Sequence, residues 1–139
     1  MNDRTSALHG PASPAALTDV ETANVKLIRD FCAAWQAPDF DLEKTLLKYM
    51  APNAIVRWSD EMPSSIGPVA AAAQARAVMP KGAVLELKIL DVFVRGQLVA
   101  TSRIDTMTAP DRPAHAFPIA GVHIVKNGKI QEYTDYFIS

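Results

Sequence analysis

The spacing of apolar residues changes character part-way along the chain, near Ala83. Before that point it follows the three-to-four-residue period of a helix with one buried face. Beyond it, apolar and polar positions alternate as on a strand. The first helical segment opens at Thr18-x-x-Glu21, a capping box, and Val20, Ala23, Leu27, Phe31 and Trp35 then recur at helical spacing until Pro38. Asp39 or Asp41 can cap a second, shorter helix with Leu42, Leu46 and Tyr49 on one face, ended by Pro52. Residues 54–58 read as a short strand and 59–66 as a loop. Gly67-Pro68 opens an Ala-rich helix reaching about Met79, its proline in the first turn where a missing N–H does no harm.

The strand-period half predicts strands over 84–94 and 98–107, joined by Arg95-Gly96-Gln97. A loop over 108–114, with Pro110 and Pro113, leads to two further strands joined at Asn127-Gly128, a strong hairpin signal. Alternation puts Arg103 and Asp105 on one face, roughly 7 Å apart along the strand. It likewise groups Phe117, Ile119 and Gly121, and Tyr133, Asp135 and Phe137. If these strands are neighbours, two carboxylates and one guanidinium converge on an apolar wall. Helices first and an antiparallel meander last indicate an α+β domain over 18–139. Residues 1–17, rich in Ser, Pro and Ala, are expected to be a disordered leader.

Composition narrows the function classes. At 139 residues the chain is large enough for one real core, and its 49% apolar and 21% charged residues are those of a water-soluble domain. A net charge of −1 offers no electrostatic footprint for nucleic acid or an anionic membrane. No run of apolar residues is long enough to span a bilayer, and no basic-then-apolar signal peptide is present, so the expected location is the cytoplasm. The one cysteine, Cys32, excludes an internal disulfide and a CxxC metal knuckle. His9, His115 and His123 are too scattered for a metal cluster, and no cofactor motif is present, so neither metal nor cofactor is expected.

Arg103-x-Asp105, then Ala120-Gly121-Val122 leading to Lys126-Asn127-Gly128-Lys129-Ile130, and finally Asp135-Tyr136-Phe137, resemble the limonene-1,2-epoxide hydrolase family. Phe31-Cys32-Ala33-Ala34-Trp35 and Ala54-Ile55-Val56 fit the same pattern, so the resemblance runs from about Thr18 onward. It implies the NTF2-like (SnoaL-like) cone, with N-terminal helices packed on a curved, mainly antiparallel mixed sheet. It also implies one-step, cofactor-independent opening of a hydrophobic epoxide. Asp105 would be the general acid, Asp135 the general base for water, and Arg103 the bridge between them. Relatives pair sheet to sheet, so the resemblance implies a homodimer, with Val122 and Ile124 on the outer face. Val56, Trp58, Met107, Phe117, Ile119, Tyr133 and Phe137 are the candidate substrate pocket. Val56 and Trp58 stand where family members carry a Tyr and an Asn that hold the water. Valine has no polar group and an indole cannot accept, so Tyr133, Ser59 or a backbone carbonyl would have to help Asp135.

Without that resemblance, an Arg-x-Asp pair on a strand reads as a rim ion pair of small worth, Trp35 and Trp58 as packing, and His123 as a core or rim group. Two other functions use the same residues. A general acid–base isomerase, dehydratase, lyase or cyclase needs the two carboxylates but no bound water. A non-enzymatic binding module needs neither, and would maintain three buried ionisable groups at a cost with no return.

Overall fold

The computed structural model describes residues 16–138. Three helices and six strands follow one another as α1 (Asp19–Ala34), α2 (Leu42–Tyr49), β1 (Met50–Arg57), β2 (Ser65–Ile66), α3 (Pro68–Val78), β3 (Val84–Arg95), β4 (Leu98–Ala109), β5 (Arg112–Lys126) and β6 (Lys129–Phe137). The strands form one sheet in the order β2-β1-β6-β5-β4-β3, with β1 and β6 parallel and every other pair antiparallel. The architecture is therefore α+β, with helices over one face of a mixed, open sheet. The expected leader lies almost wholly outside the described residues. None of the described helices is long and apolar enough to cross a membrane.

Local chemistry sets the helix boundaries. The Thr18–Glu21 capping box forms in both directions, and Asp41 accepts from the Lys44 backbone to start α2. The buried stripe of α1 differs from the expected one by part of a turn. Val20 and Ala23 are exposed, while Asn24, Ile28, Phe31 and Cys32 are buried. Asn24 is admitted because its amide donates to the Gly96 carbonyl at 3.0 Å, where Glu21 also accepts from the Gly96 N–H at 2.8 Å. Two polar residues of α1 thus tie it to the β3–β4 turn, and that turn's positive φ suits glycine. Helix α2 ends at Tyr49, earlier than Pro52, because β1 begins at Met50.

The expected loop over 108–114 shrinks to a turn. β4 runs to Ala109, β5 starts at Arg112, and Asp111 supplies the left-handed residue with φ 62°. Pro113 is tolerated because β5 pairs with β6 only from Ile119 onward, so its first residues form an edge with a register shift beside them. The core lies between the helices and the inner face, around Ile28, Phe31, Leu46, Val56, Val99 and Ile130.

Candidate active site

Register brings the charged residues together. Arg103 pairs across to Ile119 and Asp105 to Phe117 on β5, while Asp135 of β6 pairs with Gly121. All therefore stand on the helix-facing side of the sheet. Arg103 is 1% exposed, and its guanidinium lies between the two carboxylates. Nε donates to Asp105 Oδ1 at 3.0 Å and Nη2 to Asp105 Oδ2 at 2.8 Å. Nη1 donates to Asp135 Oδ1 at 3.1 Å and Nη2 to Asp135 Oδ2 at 3.0 Å. Both carboxylates are gripped through both oxygens, a geometry that only the planar fork of arginine provides. The Tyr133 hydroxyl, on the same strand and face as Asp135, donates to Asp135 Oδ2 at 3.1 Å.

Glycine at position 121 makes room for this. A β-carbon there would meet Arg103 Nη1 at 2.6 Å, Thr101 Oγ1 at 2.7 Å and His123 Nε2 at 2.8 Å, closer than any real contact. Tyr133 is fixed by aromatic packing on three sides: Phe31 at 5.5 Å and Trp58 at 5.4 Å edge-on, and His123 stacked at 4.5 Å. Its position relative to Asp135 is thus set by the core.

The electrostatics follow from burial around a single cation. Burial pushes the Asp135 carboxyl up to about 6; Arg103 opposes this and the Asp105 charge adds to it. One positive charge cannot neutralise two buried carboxylates, so the triad has a reason to hold a proton. Burial also raises the Tyr133 phenol, which stays a neutral donor. His123 is driven down to about 3 by burial and then by Arg103, and so is an uncharged imidazole. The Cys32 thiol is pushed up to about 12, chiefly by burial, and is inert.

Asp105 and Asp135 open into a cavity of about 330 Å³ under α1 and α3. Of the expected pocket residues, Trp58, Met107, Phe117, Tyr133 and Phe137 line it, as does Ser59. Val56 and Ile119 do not. Val56 is wholly buried in the core. Ile119 is 1% exposed, flanked in register by Arg103 and Phe137. The Trp58 indole lends its wall to the cavity, but its N–H is taken by the Ala71 carbonyl at 2.9 Å.

Several lining residues went unrecognised in the sequence, among them Trp35, Met62, Val78, Met79, Leu85 and Arg112. Leu85 had a signal: it alternates with Leu87, and β3 pairs these two with Met107 and Asp105. The residues from α1, α3 and the connecting loops had none, because helix placement over the sheet is not written in any local period.

Residues 22–139 match the family described as the limonene-1,2-epoxide hydrolase catalytic domain. Among solved structures, the chain is similar to an M. tuberculosis LEH-like epoxide hydrolase, with TM-score 0.71, 23% identity, and 85% of this chain and 84% of that one covered. A putative SnoaL-like polyketide cyclase from Jannaschia sp. CCS1 gives TM-score 0.73 at 21% identity, covering 89% and 91%. TerC co-crystallised with polyporic acid gives 0.68 at 15% identity, covering 84% and 92%. At such identities these are likenesses of fold, and the fold is the NTF2-like, SnoaL-like one. No curated protein matches the sequence. The match across residues 22–139 places the chain in the limonene-1,2-epoxide hydrolase catalytic-domain family.

Proposed function

We propose that the chain is a cofactor-independent hydrolase that opens a hydrophobic epoxide to a vicinal diol. The observation that carries this is one fully buried guanidinium holding two carboxylates at the floor of an apolar cavity. The pair shares one proton. Asp135, with its carboxyl near 6, is mostly ionised at neutral pH yet basic enough to draw a proton from water. The water oxygen attacks an epoxide carbon, the C–O bond breaks, and the departing oxygen takes the proton of Asp105. The proton balance then stands at Asp135 protonated and Asp105 ionised. Exchange with solvent as the diol leaves restores the starting state.

Tyr133 supplies what β1 does not. Its hydroxyl donates to Asp135 and keeps lone pairs that can accept from the attacking water. Val56 has no polar group, and the Trp58 N–H is already engaged. That same lack of a water-holding group at Val56 and Trp58 favours a second reading, a general acid–base isomerase, dehydratase, lyase or cyclase, which needs no held water. Turnover of terpene and aryl epoxides in ¹⁸O-labelled water separates the two: hydrolysis puts one labelled oxygen in the diol. An unlabelled product from a non-epoxide substrate would count against the epoxide reading.

We also propose a homodimer formed through the outer face of the sheet. Phe93, Ala100 and Val122 stand in register across it, as do Ala120 and Tyr136, with Phe93 57% and Tyr136 44% exposed. Such a face is best covered by a second copy of itself. Sedimentation velocity at micromolar concentration should show a dimer; a single monomeric species would contradict the pairing.

A further inference from the structure

The cavity has a second charged end. Of the residues lining it, only Asp105, Asp135 and Arg112 carry charge. Arg112 begins β5 beside the β4–β5 turn, where it pairs with Ala109. It lies five residues before Phe117, the partner of Asp105, and so about 17 Å along the strand at ~3.3 Å per residue. Allowing for the reach of the side chain, the guanidinium and the carboxylates are separated by on the order of 10 Å.

The two arginines differ in what they have left to bind. Arg103 uses Nε, Nη1 and Nη2 on Asp105 and Asp135. Arg112 is exposed, and no carboxylate among the described residues forms an ion pair with it. Its stem can lie on the apolar wall while its planar fork stays available to an anion. The wall of the cavity includes Met62, Met79 and Met107, unbranched side chains that adjust to the body lying against them.

We propose that this site takes an amphipathic substrate bearing a carboxylate, with that group on Arg112 and the reactive carbons at the Asp105–Arg103–Asp135 floor. The proposal rests on the floor being the reactive centre. Orientation follows from the donors: Nε, Nη1 and Nη2 of the cation at the floor are already spent on two carboxylates, so an anionic group gains little there, whereas the mouth offers an unshared guanidinium. A neutral substrate of the same shape fills the cavity but gains nothing at the rim.

The test is a binding measurement, independent of turnover. Trp35 and Trp58 both line the cavity, so tryptophan fluorescence can follow titration with phenylbutyrate and, as the neutral match, phenylbutyramide. At low ionic strength wild type should hold the acid about tenfold tighter than the amide, the size of one partly exposed charge-assisted contact. Arg112→Gln should erase that difference by weakening the acid far more than the amide. Arg112→Lys should keep part of it, and raised salt should weaken the acid alone. Equal affinities in wild type, an acid preference that survives Arg112→Gln, or no binding of the acid would each overturn the proposal. Failure here leaves the epoxide reading intact, and an unlabelled product in ¹⁸O water leaves the carboxylate preference intact.

Discussion

Arg103→Met should destabilise the protein by roughly 3–5 kcal/mol at neutral pH, the usual result of removing one partner from a buried ion pair. Domain stabilities of about 5–15 kcal/mol make that a large fraction of the whole. The cause would be charge: methionine fills comparable space, but Asp105 and Asp135 lose every hydrogen bond that Arg103 donates to them. The pH dependence identifies this cause. Asp135 in the folded wild type titrates near 6, above the ordinary aspartate value of 3.8, because burial outweighs the help of Arg103. Without Arg103 its folded value rises further. Between the unfolded and folded values the folded state binds more protons, so stability is retained at low pH and falls as pH rises through the folded value. The loss relative to wild type should therefore be smaller at pH 5 than at pH 8 in urea melts. An equal loss at both would assign the effect to packing.

Parts of this site were legible in the sequence because strand alternation is a strict code. Once Arg103 and Asp105 are on one strand and Tyr133 and Asp135 on another, period two fixes their face. The Asn127-Gly128 turn, with both residues at positive φ, then helps fix the pairing of β5 with β6. The α1 stripe was displaced for a different reason. Periodicity ranks residues by hydrophobicity, and Asn24 enters the buried face through a hydrogen bond to Gly96, 72 residues away. Pro110 and Pro113 suggest a loop over 108–114, yet only a two-residue turn forms, because the edge position of early β5 makes Pro113 harmless. Val56 and Ile119, expected in the pocket, are buried on the inner face without reaching it, because burial and pocket access are not the same property. Which inner-face residues meet the cavity depends on where α1 and α3 lie over the sheet, and that is decided by the whole core.

Asp105→Asn and Asp135→Asn should each lower kcat/KM for the substrate by about 10²–10⁴-fold while leaving the chain folded. An asparagine oxygen can still accept from Arg103, but its amide neither releases nor takes up a proton at neutral pH. The folded state is expected to persist because neither exchange adds a buried charge and each leaves the Arg103 charge with one carboxylate still bonded. The two variants separate by pH. In wild type, activity should rise with pH through about 6 as Asp135 ionises. Asparagine at 105 matches the charge of the protonated acid it replaces and leaves Asp135 in place, so the residual activity of Asp105→Asn should keep an acid limb close to the wild-type one. Asp135→Asn removes the base itself and should leave no limb in that range. Tyr133→Phe should lower activity more weakly than Asp105→Asn and should also move the limb: the lost hydrogen bond had lowered Asp135, so its limb should rise. Steady-state pH profiles of the variants, with circular dichroism to confirm folding, decide the matter. Either aspartate variant retaining activity within about tenfold of wild type would remove that carboxylate from the proton path.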